Sequence, residues 1–245
     1  MQAANFNWQE FDSRPALAEV LASSIAEALS DAIAKRGQAI IALSGGSTPK
    51  PLFKALADCE IDWPSVVITL VDERWVPFDD ELSNTAFLHE HLLSQLPEHP
   101  RLVSLFNISA AALSPALSRI PVLTEYCRQT GSTHAAPAAF DVVVLGMGGD
   151  GHTASFFPDA ENVAELVDPN SSQYLLTCTS PNARVDRITW SLPMLLNTGT
   201  LILHITGPDK KQVFERAASG SDATELPIRS AIHQDKTELQ VYYAE

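Results

Sequence analysis

Basic side chains, cysteines and long apolar runs are all scarce in this chain of 245 residues. It has 16 Lys and Arg against 30 Asp and Glu, which gives a formal net charge of −14. Binding to nucleic acid or to an anionic membrane needs clustered positive charge, so the composition disfavours both kinds of partner. No segment approaches the roughly 18 apolar residues of a membrane helix, and the first residues lack the pattern of a signal peptide. We therefore expect a cytoplasmic protein.

The cysteines and histidines lack the spacing of a metal site. Cys59, Cys127 and Cys178 lie far apart, are odd in number and form no C-x-x-C motif. We expect three buried, reduced thiols and neither zinc nor redox chemistry. Six histidines also lack ligand spacing and are interpreted as solvent-facing or packing residues: His89, His91, His99, His134, His204 and His233.

The apolar residues that are present predict a single α/β domain over residues 1–245. Residues 13–37 carry apolar side chains at helical spacing, among them Leu17, Val20 and Leu21. Uninterrupted apolar runs are typical of a parallel sheet that is covered on both faces. Four such runs predict strands, at 38–43, 66–71, 140–145 and 200–206. Three other segments predict helices, at 51–57, 83–96 and 208–218. We predict a doubly wound, mostly parallel, Rossmann-like sheet with helices on both faces, and a loop over 133–139.

Each predicted strand ends in a polar or glycine-rich loop, and ligands of open α/β sheets bind beyond the carboxyl ends of the strands. The first loop reads Ser-Gly-Gly-Ser-Thr-Pro over 44–49 and precedes a helix. Its amides, hydroxyls and helix dipole suit an anion, although an ordinary capped turn would have the same composition. It lacks the lysine of a nucleotide-binding P-loop.

The third loop, Gly-Met-Gly-Gly-Asp-Gly over 146–151, matches G-x-G-x-x-G. A dinucleotide site needs a long helix after the last glycine, and Pro158 interrupts any helix there, so we expect no nicotinamide cofactor. The loop instead places Asp150 and His152 two residues apart in a bend that can turn both towards one cavity. Histidine titrates near neutrality and can take and return a proton.

Two further loops carry cations. Arg74 follows Asp72 and Glu73 after the second strand, where it could bind a phosphate bidentately while Asp72 faces the reacting end of the ligand. A salt-bridged surface loop is the alternative. Lys210 begins a helix, a position that the helix dipole disfavours unless a bound anion compensates its charge.

Together these loops resemble the 6-phosphogluconolactonases, which share their fold with the glucosamine-6-phosphate isomerases/deaminases. The motifs are LSGGSTP at 43–49, VDERWVP at 71–77 with Ser83-Asn84 after it, LGMGGDGHTASFFP at 145–158, Arg187-Ile188-Thr189 and TGPDK at 206–210. The resemblance implies a hydrolase without metal or cofactor that opens 6-phosphoglucono-δ-lactone in the oxidative pentose phosphate pathway. It makes His152 the general base, with acidic neighbours and substrate or phosphate contacts at matching positions: Asp150 and Asp72, then Ser44, Gly45, Gly46, Ser47, Arg74, Arg187 and Lys210. The partner is a small sugar-phosphate lactone, and we expect a monomer or a weak dimer.

The nearest rival function is that of the isomerases/deaminases, which act on an amino sugar phosphate. Two positions speak against it, because the deaminase branch has a glutamate where Phe157 precedes Pro158 and a tyrosine where this chain has Arg74. Relatives often have a lysine and prolines after Pro181, where Arg184 either substitutes for the missing cation or is simply exposed. A sugar-phosphate sensor of the same fold would need a DNA-binding module, which the 37 residues before the first predicted strand do not supply.

Overall fold

A computed structural model describes residues 4–77, 79–103, 105 and 139–245. Cys127, His134 and residues 133–138 of the predicted loop lie outside the described residues. The first helix, α1, spans Arg14–Arg36. Ser13 caps it by accepting a hydrogen bond from the backbone amide of Ala16, and Gly37 ends it in the left-handed conformation with φ of 75°. The prediction for 13–37 is therefore confirmed.

The buried face of α1 is narrower than the sequence spacing suggested. Leu17, Leu21, Ile25 and Leu29 have no exposed surface, whereas Val20 is 43% exposed. Val20 lies next to Leu21 in sequence and therefore points about 100° away from it around the helix. Val20 therefore lies outside the buried face, although it is one of the apolar residues at helical spacing.

A parallel sheet of seven strands forms the centre of the protein, in the order β1-β10-β9-β6-β2-β3-β5. All four predicted strands belong to it, whereas β1, β5 and β10 were missed. The bounds are Phe6–Phe11 for β1, Ala39–Leu43 for β2, Val66–Leu70 for β3, Arg101–Val103 for β5, Phe140–Leu145 for β6, Thr198–Thr206 for β9 and Leu239–Ala244 for β10.

The remaining helices surround this sheet. They are α2 at Lys50–Ala57, α3 at Asn84–His91, α4 at Val163–Leu166, α5 at Leu192–Leu196, α6 at Pro208–Ser219 and α7 at Arg229–Ile232. The helix predicted over 83–96 is shorter than expected, because α3 ends at His91 and a 3-10 turn follows at Leu93–Gln95. In the part of the chain that is described, no helix is both long and apolar enough to cross a membrane.

Both faces of the sheet are covered, as predicted. Neighbouring residues of a strand point to opposite faces, and Tyr242 and Tyr243 of β10 show where each face packs. The Tyr242 hydroxyl lies 3.1 Å from Ser24 Oγ of α1. The Tyr243 ring contacts Trp8, whose ring in turn contacts Phe214 of α6. Helices α1 and α6 therefore lie on opposite sides of the sheet, and α2 packs beside α1.

A second, antiparallel sheet of three strands carries part of the polar sequence. It has the order β4-β8-β7, with β4 at Asp72–Arg74, β8 at Arg187–Trp190 and β7 at Leu175–Cys178. The segment from Asp72 to Arg74 was predicted as a loop and is instead a short strand that pairs with β8. Three residues are too few to show a strand periodicity, and the partner is distant in sequence, so no local signal indicated the pairing.

The two described thiols differ in burial. Cys178 is buried, as expected. Cys59 is only partly buried, which corrects the prediction, because it follows α2 at the surface and its Sγ lies 3.3 Å from the Ala55 carbonyl oxygen.

Candidate active site

A cavity of about 460 Å³ lies at the carboxyl ends of β2, β6 and β9. Nine of the ten residues predicted for the site line it: Ser44, Gly45, Gly46, Ser47, Asp72, Arg74, His152, Arg187 and Lys210. Asp150 is not among the lining residues and lies against His152 instead. The expectation that both side chains of this pair turn towards the cavity was thus wrong for Asp150.

Asp150 holds the imidazole of His152 in one orientation. Its Oδ1 lies 2.6 Å from His152 Nδ1 and also accepts a hydrogen bond of 3.1 Å from the His152 backbone amide. A carboxylate at Nδ1 favours the tautomer that carries its proton there, which leaves Nε2 free to accept a proton. Gly148 makes this close approach possible, since a Cβ at that position would lie 2.1 Å from His152 Nδ1.

Phe157 supports the same imidazole from its face. The ring centroids of His152 and Phe157 are 4.4 Å apart, and the Arg187 guanidinium carbon lies 5.8 Å from the Phe157 centroid. Phe157 therefore contacts both a candidate base and a candidate cation. Sequence comparison drew attention to Phe157 only as a departure from the deaminase pattern and did not predict this contact.

The electrostatics of the pair favour an ionised Asp150. Partial burial alone would raise the pKa of this carboxyl group, but the hydrogen bond and charge of His152 outweigh burial and lower the pKa from 3.8 to about 2. A group with a lowered pKa in the folded state stabilises that state above its unfolded pKa, and the contribution is lost as pH falls through the folded value.

We expect the stability advantage of the wild type over Asp150→Asn to shrink as pH falls from about 4 to about 2, through the lowered pKa of Asp150. Thermal unfolding of both proteins across this range tests the expectation. Asp235→Asn, at an exposed aspartate, is the matched control. A difference that stayed constant down to pH 2 would contradict the assignment of the lowered pKa to the contact with His152.

Asp72 is held by a buried hydroxyl. Its Oδ2 accepts a hydrogen bond of 2.6 Å from Ser155 Oγ, and Ser155 has no exposed surface. Ala154, between His152 and Ser155, has a φ of 48°, an uncommon conformation for a residue with a side chain. This tight bend lets one short segment place His152 at the cavity and Ser155 against Asp72. The Ser155 hydroxyl is therefore committed to Asp72.

Glu73 was not predicted as a site residue, yet it joins β4 to the start of α3. It is 1% exposed. Its two carboxylate oxygens accept five hydrogen bonds, from the backbone amides of Arg74, Asn84 and Thr85 at 2.7 Å each and from the hydroxyls of Thr85 and Ser83 at 2.6 and 3.3 Å. A carboxylate at a helix N-terminus also interacts favourably with the helix dipole. Glu73 thereby fixes the position of its neighbours Asp72 and Arg74.

Glu73→Ala should lower the free energy of unfolding by about 2–4 kcal/mol, because it leaves several buried donors without an acceptor. Denaturant unfolding measures this change. Glu98→Ala removes an exposed glutamate and should change stability by less than about 0.5 kcal/mol. Equal stability of the two variants would rule out an anchoring role for Glu73.

Two arginines lie opposite each other on adjacent strands of the second sheet. Arg74 of β4 is the register partner of Arg187 of β8. Like charges directly opposite one another are destabilising, and Arg74 Nε and Arg187 Nη1 are buried without a hydrogen-bond partner. Burial and, next, the charge of Arg74 lower the pKa of Arg187. Arg74 Nη1 donates to the Leu82 carbonyl oxygen at 2.7 Å, so it is positioned in part by the backbone.

Two more cations border the same space. Lys210 lies in the first turn of α6 and lines the cavity, and burial lowers its pKa while Asp150 and Asp209 oppose that effect. Arg184 is exposed and also lines the cavity, so the side chain that the sequence left undecided lies at its rim. Asp72 is the lone carboxylate among the lining residues that the structure describes. The arrangement suits an anionic ligand.

The glycine loop adds a wall with exposed backbone. Gly46 has a φ of 96°, and a Cβ on Gly45 would lie 2.0 Å from Asn84 Oδ1, so both positions require glycine. The Ser44 hydroxyl donates to the Val144 carbonyl oxygen at 2.8 Å and accepts from the Gly146 amide at 3.1 Å. Ser44 therefore ties this loop to β6, in addition to lining the cavity as predicted.

Some features of the cavity were not predicted. His204, interpreted as a packing or surface residue, is buried and also lines the cavity, as do Asn84, Asn182 and Thr206. Among the described residues, His, Cys, Asp and Glu side chains form no group of three or more that could hold a metal ion.

Comparisons with known proteins show the family to which this chain belongs. The family described as Glucosamine-6-phosphate isomerases/6-phosphogluconolactonase matches residues 12–241. A relative from Rhizobium meliloti (strain 1021), named 6-phosphogluconolactonase, is 40% identical over 238 residues, which cover 97% of this chain and 98% of the relative. A relative of the same name from Mesorhizobium japonicum is 38% identical over 244 residues, with 100% and 98% coverage. The crystal structure of a 6-phosphogluconolactonase from Shewanella baltica OS155 matches with a TM-score of 0.86 and 34% identity, covering 100% of both chains. This chain therefore belongs to the glucosamine-6-phosphate isomerase/6-phosphogluconolactonase family.

Proposed function

We propose that this protein is a 6-phosphogluconolactonase that hydrolyses 6-phospho-D-glucono-1,5-lactone to 6-phospho-D-gluconate with water activated by His152. The names of the relatives support the reaction. The hydrogen bond of 2.6 Å between Asp150 and His152, beside a cavity lined by cations, is the observation that carries the mechanism. The reaction belongs to the oxidative pentose phosphate pathway.

The proposed chemistry uses one proton carrier. His152 Nε2 takes a proton from water while the water oxygen bonds to the lactone carbonyl carbon, and the carbonyl electrons move to oxygen. When the tetrahedral intermediate collapses, the bond between the carbonyl carbon and the ring oxygen breaks. The imidazolium returns its proton to that ring oxygen, which becomes the 5-hydroxyl group, and the new carboxylic acid ionises. Asp150 stabilises the transient imidazolium, much as a buried aspartate does in a catalytic triad.

The phosphoryl group is negatively charged and the reacting carbonyl end is not, so different side chains of the site would bind them. Arg74, Arg187 and Lys210 would bind the phosphate, together with the loop over 44–49, and so orient the lactone ring. Asp72 is held by Ser155 and would bind at the uncharged end of the substrate, where a carboxylate does not repel the phosphate. Binding energy at the phosphate therefore positions the carbonyl for attack.

A rival function is isomerisation and deamination of glucosamine 6-phosphate. Deamination requires proton transfer between two sugar carbons and an acid that opens the ring, so it needs more titratable groups than lactone hydrolysis. Phe157 cannot transfer a proton, and it packs on His152 at the position where the deaminase branch has a glutamate. This contact favours the lactonase.

One preparation can test both reactions. Lactone disappearance should exceed the spontaneous rate, and no ammonia should be released from glucosamine 6-phosphate. Ammonia release without lactone hydrolysis would reject the proposal, and the absence of both reactions would favour a sensor.

Because the proposed chemistry uses no metal, EDTA should leave the lactone hydrolysis rate unchanged. Loss of activity in EDTA and its return with a divalent ion would reject the metal-free mechanism.

We propose further that the protein acts in the cytoplasm and that its partner is a small sugar-phosphate lactone. The net charge of −14 disfavours binding to nucleic acid or to anionic membranes, because both are negatively charged. The positive charge that would bind the substrate is confined to the cavity wall.

A further inference from the structure

His204 is a polar side chain that the proposed mechanism does not use. It lies near the carboxyl end of β9, is 5% exposed and lines the cavity. Buried imidazoles are normally hydrogen-bonded, because an unpaired polar group costs free energy when it leaves water. A histidine placed here without a structural task therefore needs another explanation.

The imidazole lies on the side of the sheet that carries the glycine loop. His204 is the register partner of Tyr242, so their side chains share a face, and Tyr242 reaches Ser24 of α1. Helix α2, which the loop over 44–49 introduces, packs beside α1 on that face. On the other neighbouring strand, the pairing of Leu145 with Leu203 places Gly146, which has no side chain, next to His204. A Cβ at Gly146 would meet only atoms of Ser44, at 4.0 Å, so the space beside the ring is open.

No protein group in the described part of the chain is hydrogen-bonded to the His204 ring. His204 lines the cavity and keeps 5% of its surface exposed, so a ligand in the cavity can reach the ring. Burial lowers the pKa of His204 to about 4, so the ring is neutral near pH 7. A neutral imidazole has one donor and one acceptor. A hydroxyl group matches that pair, whereas a phosphate offers acceptors alone.

We propose that His204 is a specificity-determining residue that hydrogen-bonds one ring hydroxyl of the lactone substrate. The inference rests on the proposed lactonase function. The cations would recognise the phosphate, and His204 would recognise the uncharged sugar. A site built to hydrogen-bond a hydroxyl discriminates strongly against a substrate that lacks it, because the buried polar group is then left unpaired.

The test compares kcat/KM of the wild type, His204→Phe and His204→Gln on 6-phosphogluconolactone and on its 2-deoxy, 3-deoxy and 4-deoxy forms. His204→Phe should lower kcat/KM on the full substrate by about 10–100-fold. On the one deoxy lactone that lacks the bonded hydroxyl, the wild type and His204→Phe should be equal. His204→Gln keeps a donor and an acceptor and should recover part of the loss. An unchanged kcat/KM, or the same loss on all four lactones, would overturn the proposal.

Two controls separate this result from misfolding and from failure of the proposed function. Tyr242→Phe removes the neighbouring hydroxyl on the same face and should leave the preference among the four lactones unchanged. Histidine ¹⁵N spectra of the wild type with added 6-phosphogluconate, which carries the same hydroxyls, need no turnover. A shift of the His204 resonances supports the contact even if lactone hydrolysis were absent, and resonances that do not move would overturn it.

Discussion

His152→Ala is expected to lower kcat for 6-phosphogluconolactone by roughly 10²–10⁴-fold, with a much smaller change in KM. The imidazole moves a proton in the transition state and contributes little to ground-state binding. Its orientation depends on the contact of 2.6 Å with Asp150 and on the packing of Phe157. Alanine has no ring and can make neither contact. Initial rates, corrected for spontaneous hydrolysis, measure the effect.

The matched control is His99→Ala, which removes an exposed histidine outside the cavity and should leave kcat unchanged. Thermal unfolding should show that His152→Ala remains folded. Full turnover by a folded His152→Ala would remove this residue from the mechanism. A loss confined to KM would assign it to substrate binding instead.

Arg187→Ala is expected to raise KM for the phosphorylated lactone by about 10–100-fold, since a hydrogen bond between charged groups is worth about 1.5–3 kcal/mol. Arg187 is paired in register with Arg74, and a bound phosphate would offset the repulsion between them. The variant should therefore lose preference for 6-phosphogluconolactone over glucono-1,5-lactone, which has no phosphate. Steady-state kinetics on both lactones measure this preference.

Arg101→Ala removes an exposed arginine of β5 and should leave both KM values unchanged. Inorganic phosphate should raise the melting temperature of the wild type and of Arg101→Ala more than that of Arg187→Ala, because ligands that bind the folded state stabilise it. If Arg187→Ala kept the preference for the phosphorylated lactone, the phosphate would have to bind elsewhere.

The elements predicted correctly are those with strong local signals. The helix α1 has apolar spacing along its length, a capping serine and a terminal glycine, and all three act within a few residues. The strands β2, β3, β6 and β9 are apolar runs buried on both faces. The edge strands β1 and β5 and the short strand β4 gave no such signal, whereas β10 is an interior strand that was missed although its sequence, LQVYYA, is mostly apolar. The strand β1 has partly buried and exposed residues without regular alternation, and β4 has three residues whose partner lies far along the chain.

The amino-acid sequence by itself indicated candidate site residues and, through the rule for strand ends, that most of them meet at one edge of the sheet. Tertiary structure alone decided where each side chain turns. Asp150 lies against His152, Glu73 anchors α3, Phe157 stacks on the imidazole, and His204 opens onto the cavity. The physical reason is that side-chain direction depends on register and on bends such as the one at Ala154. Those are set by contacts between residues distant in sequence, which local patterns do not encode.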